Sequence, residues 1–571
     1  MTLLRPFRDS RPARRKYSGK DGRSGDRPKA KSMQAIISFI TGTLNTVAWL
    51  YIFLPCTILF GLYLTIRNRG LQFTKFGYVM KNTLGKMFQK QEAGEGAVTP
   101  MQAVSTALAA TVGTGNIVGT SQAIALGGYG AIFWLWLAAL LGMMVKYSEV
   151  LLAIKYRERD AKGDWVGGPM YYVKNGLGKG WQWVGILFCI FAAIAAFGIG
   201  NMSQVNSIVG SINNAVDAFI PSAAAERGML NLILGIVLAV LVGIILFGGI
   251  KRIGAVAEKL VPAMALLYIV FGITVIVVHA NNIIPAFGKI FSTAFNPQAI
   301  GGAAAGIVLK ETIVWGLRRS AFSNEAGLGS AAIAHSAAET PGPVQQGMYG
   351  IFECFADTIV ICSLTALTII CSGVEIPFGV KPGSELITAA FATVFGDKIA
   401  STFVAVALTL FAFTTILGWS LYGSRCFQYL FGLKAASIYK ALYVVIIVVG
   451  AVSSIDRYLQ RPDGCPELHR LDRPVACRHQ DDEGILLQQK TGIIKTLTLK
   501  SQHLFDRWNK LQKTAPGFPG AVFRGLKGEI LSFAGANAHN PIGSTLSICR
   551  GRCPHRPISS TFSQKCFAFR T

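Results

Sequence analysis

Charge is scarce in this sequence. Only 15% of its 571 residues are Asp, Glu, Lys or Arg, while 51% are hydrophobic; ordinary soluble domains run nearer a quarter charged. That balance excludes a soluble domain, and it excludes disordered and collagen-like chains as well. The 11 cysteines and 7 histidines are few, and the cysteines never fall into paired C-x₂-C knuckles at structural-zinc spacing, so a disulfide scaffold and a zinc fold are not indicated. No apolar h-region follows the basic N-terminal stretch, so it does not read as a secretory signal peptide. What the sequence does have is a series of apolar stretches of twenty or so residues. Each is long enough to cross the roughly 30 Å hydrocarbon core of a bilayer as a helix.

The net charge of +26 is unevenly placed. Residues 1–32 hold 11 basic and 3 acidic residues, residues 456–571 hold 18 and 9, and the middle holds only 26 and 17. Five of the histidines and five of the cysteines also fall after residue 455. Two compositions are joined, which suggests three segments: a basic extension over 1–32 with Met33 as the expected native start, a membrane domain over 33–455, and a basic tail over 456–571. The tail has neither helical periodicity nor a spanning run. It is expected to be disordered or an out-of-frame extension.

Between Met33 and Asp456 the hydropathy pattern predicts ten spans, at 37–66, 101–126, 131–156, 183–213, 229–248, 260–280, 298–317, 347–372, 395–423 and 437–455. Arg67, Arg69, Lys75, Lys81, Lys86 and Lys90 follow the first span without an intervening acid, so its C-terminal end faces the cytoplasm. Alternation then predicts cytoplasmic loops at 157–182, 249–259, 318–346 and 424–436, all of which carry Lys or Arg. The external loops near 127–130, 214–228 and 373–394 carry few. Eleven basic residues before an outward-facing first span contradict this topology, which is the reason to place the native start at Met33.

Backbone groups can be left free in a bilayer only where they line a cavity, and glycine-interrupted helices provide them. In Ala109-Ala-Thr-Val-Gly113-Thr-Gly115-Asn116-Ile-Val-Gly119 three glycines and two polar residues interrupt a span near its middle. A half-helix starting there would aim N–H groups and the positive end of its dipole at a carboxylate. Close helix packing through the G-x-x-x-G pair Gly115/Gly119 accounts for the same residues. The spacing G-x-G-x-x-x-G, with no strand before it, is not a dinucleotide fingerprint. A second interrupted region runs from Gly301–Gly306 to Gly327. Within it Arg318 and Arg319 either snorkel at the cytoplasmic interface or flank an unwound segment. Asn116, Gln204 and Asp357 lie inside spans, where a polar group serves either as an interhelical hydrogen bond or as a ligand contact. Thr414 and Thr415 offer adjacent hydroxyls at midspan, suited to a hard monovalent cation or to bonds back to their own helix.

Together the stretches GTGNIVG (113–119), GGYGAIFWLW (127–136), GGPMYY (167–172), FGIGNMSQ (197–204) and FSNEAGLG (322–329) resemble the alanine/glycine:cation symporter family, sodium-coupled importers of small neutral amino acids. The resemblance covers about residues 33–455. It implies an all-α polytopic membrane protein of the plasma membrane (the inner membrane of a bacterium), with a leucine-transporter-type inverted five-plus-five repeat preceded by one extra helix. Both interrupted regions then open a half of the repeat. By motif position, the resemblance implies that the backbone at Thr114, Gly115 and Asn116 receives the substrate carboxylate, that Gln204 and Phe322 shape the pocket, and that a sodium ion sits between the carbonyls of Ala110 and Gly113 and the hydroxyls of Thr414 and Thr415. Sodium is the coupling ion, and no other cofactor and no protein partner are implied. The chain departs from the family pattern at Tyr129, Ser320, Ala332 and Ser424.

A membrane-embedded enzyme would need a clustered metal or acid/base set in the spans, and there His279 and His335 stand far apart, each near a membrane edge. A nucleic-acid-binding reading of the basic ends lacks aromatic interleaving or a recognition fold. Family members close with an eleventh helix, whereas here the basic tail follows the tenth span, so the last helix is read as lost. The alternative to a working symporter is therefore an inactive truncated relative. The chain as it stands is expected to insert poorly or transport weakly, and robust sodium-dependent alanine uptake by it would refute that expectation.

Overall fold

The computed structural model of the protein describes residues 42, 44–86, 93–220, 227–296 and 309–453. The segments read above as 1–32, Gly301–Gly306 and 456–571 lie outside the described residues.

The chain is all-α. In order, the main helices are α1 (Val47–Arg67), α2 (Pro100–Thr111), α3 (Thr120–Gly127), α4 (Ala131–Lys155), α5 (Lys179–Phe219), α6 (Arg227–Leu246), α7 (Gly249–Val278), α8 (Ile283–Thr293), α9 (Leu309–Asn324), α10 (Ser330–His335), α11 (Pro343–Ser372), α12 (Glu385–Phe395) and α13 (Asp397–Val452). Seven helices among the described residues are long and apolar enough to span on their own: α1, α4, α5, α6, α7, α11 and α13. The remaining crossings are made in pieces. One is α2 with α3, another is α9 with α10, and α13 is two helices merged across a kink where Gly432 adopts φ 84°, ψ 178°.

Helices α4 and α11 form the centre, with 61% and 67% of their most apolar windows buried, against 28% for α5, α6 and α7. The outer helices turn Ile233, Ile236, Val240 and Ile244 outward, as a lipid-facing surface must. Lipid supplies no hydrophobic drive for helices to associate, so close approach through small residues does the work. A Cβ on Gly418 would lie 2.6 Å from the Cβ of Ala110, and one on Gly61 would lie 2.9 Å from Leu141. The start of α2 is fixed locally: Thr99 Oγ1 accepts from Gln102 N at 3.1 Å and Gln102 Oε1 from Thr99 N at 3.3 Å, with Pro100 in the first turn. This reciprocal pair satisfies N–H groups that every helix start leaves open.

The structure changes four loop assignments. Residues 249–259 are not a loop but the first turns of α7, and residues 424–436 belong to α13 apart from the kink at Gly432. Basic residues marked both as loops, yet Arg425 pairs from within a helix, its Nη1 3.3 Å from Asp160 Oδ2. Residues 318–335 are likewise mostly helical, interrupted only between α9 and α10. The external stretch 373–394 also contains most of α12, too short to register as a span.

The predicted sides hold together even so. At one end Arg157 Nη1 donates to Ser336 O at 3.0 Å and Ala338 O at 2.6 Å, Val98 bridges Ala338, and Arg425 meets Asp160. At the other end Gly379 N donates to Ala125 O at 2.9 Å, and Asn214 Nδ2 to Ser384 Oγ at 3.2 Å. Each set joins segments that alternation assigns to a single face. At the inner face, burial pushes the Asp160 carboxyl up, but hydrogen bonds from Gln428 and the N–H groups of Lys162 and Asp164, with Arg425 beside it, hold it below its ordinary range.

In a cysteine-free background, Lys162→Cys should react with a membrane-impermeant maleimide only after the cytoplasmic face is opened, and Val380→Cys should react in intact cells. Labelling of both from one side would overturn the topology.

Candidate functional site

The first break begins at Val112, whose φ −77° and ψ 89° leave the helical region. The chain resumes as a π turn, Gly115–Gly119, and passes into α3. A helix that begins anew presents N–H groups with no carbonyl one turn behind them. Asn116 closes the kink: its Oδ1 accepts from Gly113 N at 2.8 Å, and its own N–H turns back to Gly113 O at 3.2 Å. Gly113 has to lack a side chain, because a Cβ there would run into the Thr415 hydroxyl of α13. A Cβ on Gly115 would lie 3.3 Å from the Phe322 ring.

The second break follows Asn324. Glu325 takes φ +57°, Gly327 φ +92° and Gly329 φ +72° before α10 starts. Two charged residues of α4, one turn apart on one face, serve its ends. Lys146 Nζ donates to Asn324 O at 2.5 Å, and Glu149 Oε1 accepts from Gly327 N at 3.0 Å and Gly329 N at 3.1 Å. A cation therefore meets the carbonyl end of one half-helix and an anion the amide end of the next, the arrangement favoured by the helix dipoles.

Lys146 also pairs with Glu353 of α11 at 2.9 Å, and Glu353 Oε2 lies 3.2 Å from His335 Nε2, all fully buried. Asp357, on the same helix, links the two breaks. Its Oδ1 accepts from Asn116 Nδ2 at 2.7 Å and its Oδ2 from Ser323 Oγ at 2.8 Å. Hydropathy marks Asp357 as a polar residue in a span and His335 as a residue near a membrane edge, but it does not single out Lys146, Glu149, Glu325 or Glu353. A lysine and a glutamate inside a 25-residue apolar helix were the available signal.

Between the breaks lies a cavity of about 290 Å³. Of the sequence-derived site residues, Ala110, Gly113, Thr114, Gly115, Gln204, Phe322 and Thr415 all line it, walled by Phe188, Phe191, Leu328, Ile333 and Trp419. Thr114 Oγ1 donates to Gln204 Oε1 at 3.0 Å, and Gln204 Nε2 to Ile199 O at 3.1 Å beside the π turn Gly198–Met202. Asn116 is wholly buried behind the wall, and Thr414 faces α7, with its hydroxyl 3.6 Å from Met264 Sδ. Both threonine hydroxyls bond back along their helix, Thr414 and Thr415 donating to Phe411 O at 2.9 and 3.0 Å. Such a hydroxyl keeps its lone pairs, so it still accepts from or ligates a cation.

Thr114, Gly115 and Phe322 also border a second space of about 910 Å³ that reaches Gln122, Pro382 and Ser384, at the end that the charge pattern predicts to be external. Arg319 lines this outer space rather than a cytoplasmic loop. Its Nη2 donates to Gln122 Oε1 at 2.6 Å, and its guanidinium lies over Trp315 and Phe322. Arg319 therefore lies beside the unwound segment, while the Arg318 guanidinium lies over Trp49 and Trp315.

Comparison with known proteins points the same way. A sequence model of the sodium:alanine symporter family matches residues 33–466. The sodium/alanine symporter AgcS of Methanococcus maripaludis is 41% identical over 421 residues, covering 73% of this chain and 88% of that protein. A protein of Haemophilus influenzae described as an uncharacterized transporter is 42% identical over 424 residues, covering 73% and 86%. The amino-acid carrier protein AlsT of Bacillus subtilis is 35% identical over 423 residues, covering 74% and 85%.

Replacing Glu353 by Gln leaves the buried Lys146 ammonium without its counter-charge and should destabilise the detergent-solubilised protein by about 3–5 kcal/mol. In a double-mutant cycle with Lys146→Met, the double variant should unfold no earlier than the worse single one. Losses that simply add would show that the two side chains do not act as a pair.

Proposed function

The chain belongs to the sodium:alanine symporter family, and from that premise we propose that it imports small neutral amino acids, alanine and glycine, together with sodium. It is a multi-pass membrane protein and a sodium-coupled amino-acid transporter rather than an enzyme. The observation that supports the narrower reading is the meeting of Thr114, Gly115, Gln204 and Phe322 with Ala110, Gly113 and Thr415 around one small, largely apolar cavity at the first break.

In this reading the helix start at Thr114–Gly115 receives the substrate carboxylate on backbone N–H groups, helped by the dipole end. The Asn116 side chain holds the kink open by capping Gly113 and reaching Asp357. Gln204, held by Thr114 and Ile199, borders the same end of the pocket. Phe188, Phe191, Ile333 and Trp419 leave room for a short side chain and exclude a long one by volume.

Sodium takes the carbonyl oxygens of Ala110 and Gly113 with the hydroxyls of Thr414 and Thr415. Carbonyl and hydroxyl oxygens suit a hard cation, and Gly113 and Thr415 lie so close that a Cβ on Gly113 would run into the Thr415 hydroxyl. Ion and amino acid thus share one broken helix. The ion draws the carbonyls on the α13 side of the kink inward, which fixes the amides on the other side in the orientation the carboxylate needs. Each ligand favours the same conformation, and that is coupling in the thermodynamic sense. The membrane potential adds about 2.3 kcal/mol per charge per 100 mV to inward movement.

In proteoliposomes the chain should take up radiolabelled alanine, if only weakly, under a sodium gradient and not under an equal potassium gradient. Thr415→Val removes one oxygen ligand without changing shape and should raise the half-saturating sodium concentration roughly tenfold. Gln204→Ala should weaken alanine more than it weakens sodium. Equal uptake in potassium, or a sodium response indifferent to Thr415, would defeat the proposal.

A further inference from the structure

An amino acid carries a cation as well as an anion, and the helix start at Thr114–Gly115 answers only the anion. The rest of the cavity is walled mainly by Phe188, Phe191, Ile333 and Trp419, and an ammonium group leaving water for apolar walls needs an acceptor. Two polar side chains on the wall have no role so far.

One is Glu325. It is 2% exposed and is the only carboxylate bordering the cavity among the described residues. Its backbone holds φ +57°, one of two positive values at non-glycine residues among those described. A strained conformation of this kind persists only where the surroundings enforce it, and such residues gather at functional sites. Ser330 Oγ donates to Glu325 Oε2. The nearby cation does not pair with it: Lys146 is engaged by Glu353 at 2.9 Å and by Asn324 O at 2.5 Å. Glu325 has no ion-pair partner among the described residues, an expensive state for a buried carboxylate.

The other is Tyr422 of α13. It is 1% exposed and borders the same cavity, and its hydroxyl has no hydrogen-bond partner among the described residues. A buried hydroxyl left unmatched inside a cavity wall is normally matched by what fills the cavity.

Resting on the transport reading above, we propose that the Glu325 carboxylate, together with the Tyr422 hydroxyl on the same cavity wall, receives the ammonium group of the transported amino acid. The pocket is then a two-ended zwitterion site: amides of the first break take the acid end, and a side chain of the second break takes the amino end. The ammonium has three N–H donors, enough to meet both oxygens. Specificity for amino acids over hydroxy acids of the same size follows, because lactate carries no cation to neutralise Glu325.

The test is competition for labelled alanine in proteoliposomes containing the full chain, with unlabelled alanine and lactate as competitors. The wild-type chain should prefer alanine strongly. Glu325→Gln should weaken alanine roughly 10- to 100-fold while leaving lactate inhibition nearly unchanged, so that the preference collapses. The half-saturating sodium concentration should hold. Glu325→Asp keeps the charge and should keep most of the preference. Tyr422→Phe should weaken alanine severalfold, again without effect on lactate, and it covers the case in which Glu325→Gln does not fold. An alanine-to-lactate preference that survives in Glu325→Gln, or in Tyr422→Phe if only that variant folds, overturns this assignment alone. A selective loss of sodium affinity would overturn it too, marking Glu325 as an ion ligand. Failure of the wild-type chain to bind any small amino acid would overturn the transport reading and this assignment with it.

Discussion

A helix cannot stop inside a bilayer unless something else takes up the amides and carbonyls that the stop sets free, and the rest of this molecule is arranged around that requirement. The chain stops twice at depth, at Val112–Thr114 and at Glu325–Gly329, and each stop is met by side chains bought at considerable electrostatic expense. Lys146 and Glu149 project from the central helix α4 to the two half-helix ends of the second stop. Asn116 folds over the first. Because charged residues in a membrane interior are costly, their presence in α4 and α11 marks how much the two stops matter.

The two stops are also joined. One Asp357 oxygen holds Asn116 and the other holds Ser323, while Glu353 on the same helix reaches Lys146 and His335. Displacement of either broken helix therefore disturbs hydrogen bonds that the other also depends on. This network, rather than any rigid covalent path, is what lets events at an ion-binding end and a solute-binding end be felt together. The breaks fall in the second and seventh crossings of the described chain, five apart.

Much of the site was legible because its residues break a strong rule. Gly113, Gly115 and Asn116 stand out in a span otherwise made of apolar residues, and the paired hydroxyls of Thr414 and Thr415 stand out in theirs. The family resemblance then joined stretches that no periodicity could have brought together, such as Gln204 with Thr114. The second stop was read less well. Arg318 and Arg319 suggest a cytoplasmic loop when counted as charges, but cation–π contact with Trp315 and Phe322 and the amide of Gln122 hold Arg319 inside. Arg425 was misread in the same way, since a basic residue paired with Asp160 can sit within a helix. Partners far away in sequence decide these cases. Lys146 and Glu149 were visible throughout, but their purpose appears only once the half-helix ends they serve are in place.

Thr114, Gly115 and Phe322 line both the smaller cavity and the larger space that reaches Gln122 and Ser384. Rotating an aromatic side chain is a fast, local event. Lys146, Glu353 and His335 form a fully buried cluster, and dismantling it would expose several polar groups at once. A turn of Phe322 alone changes the wall that the two spaces share, whereas parting Lys146 from Glu353 moves α4 against α11.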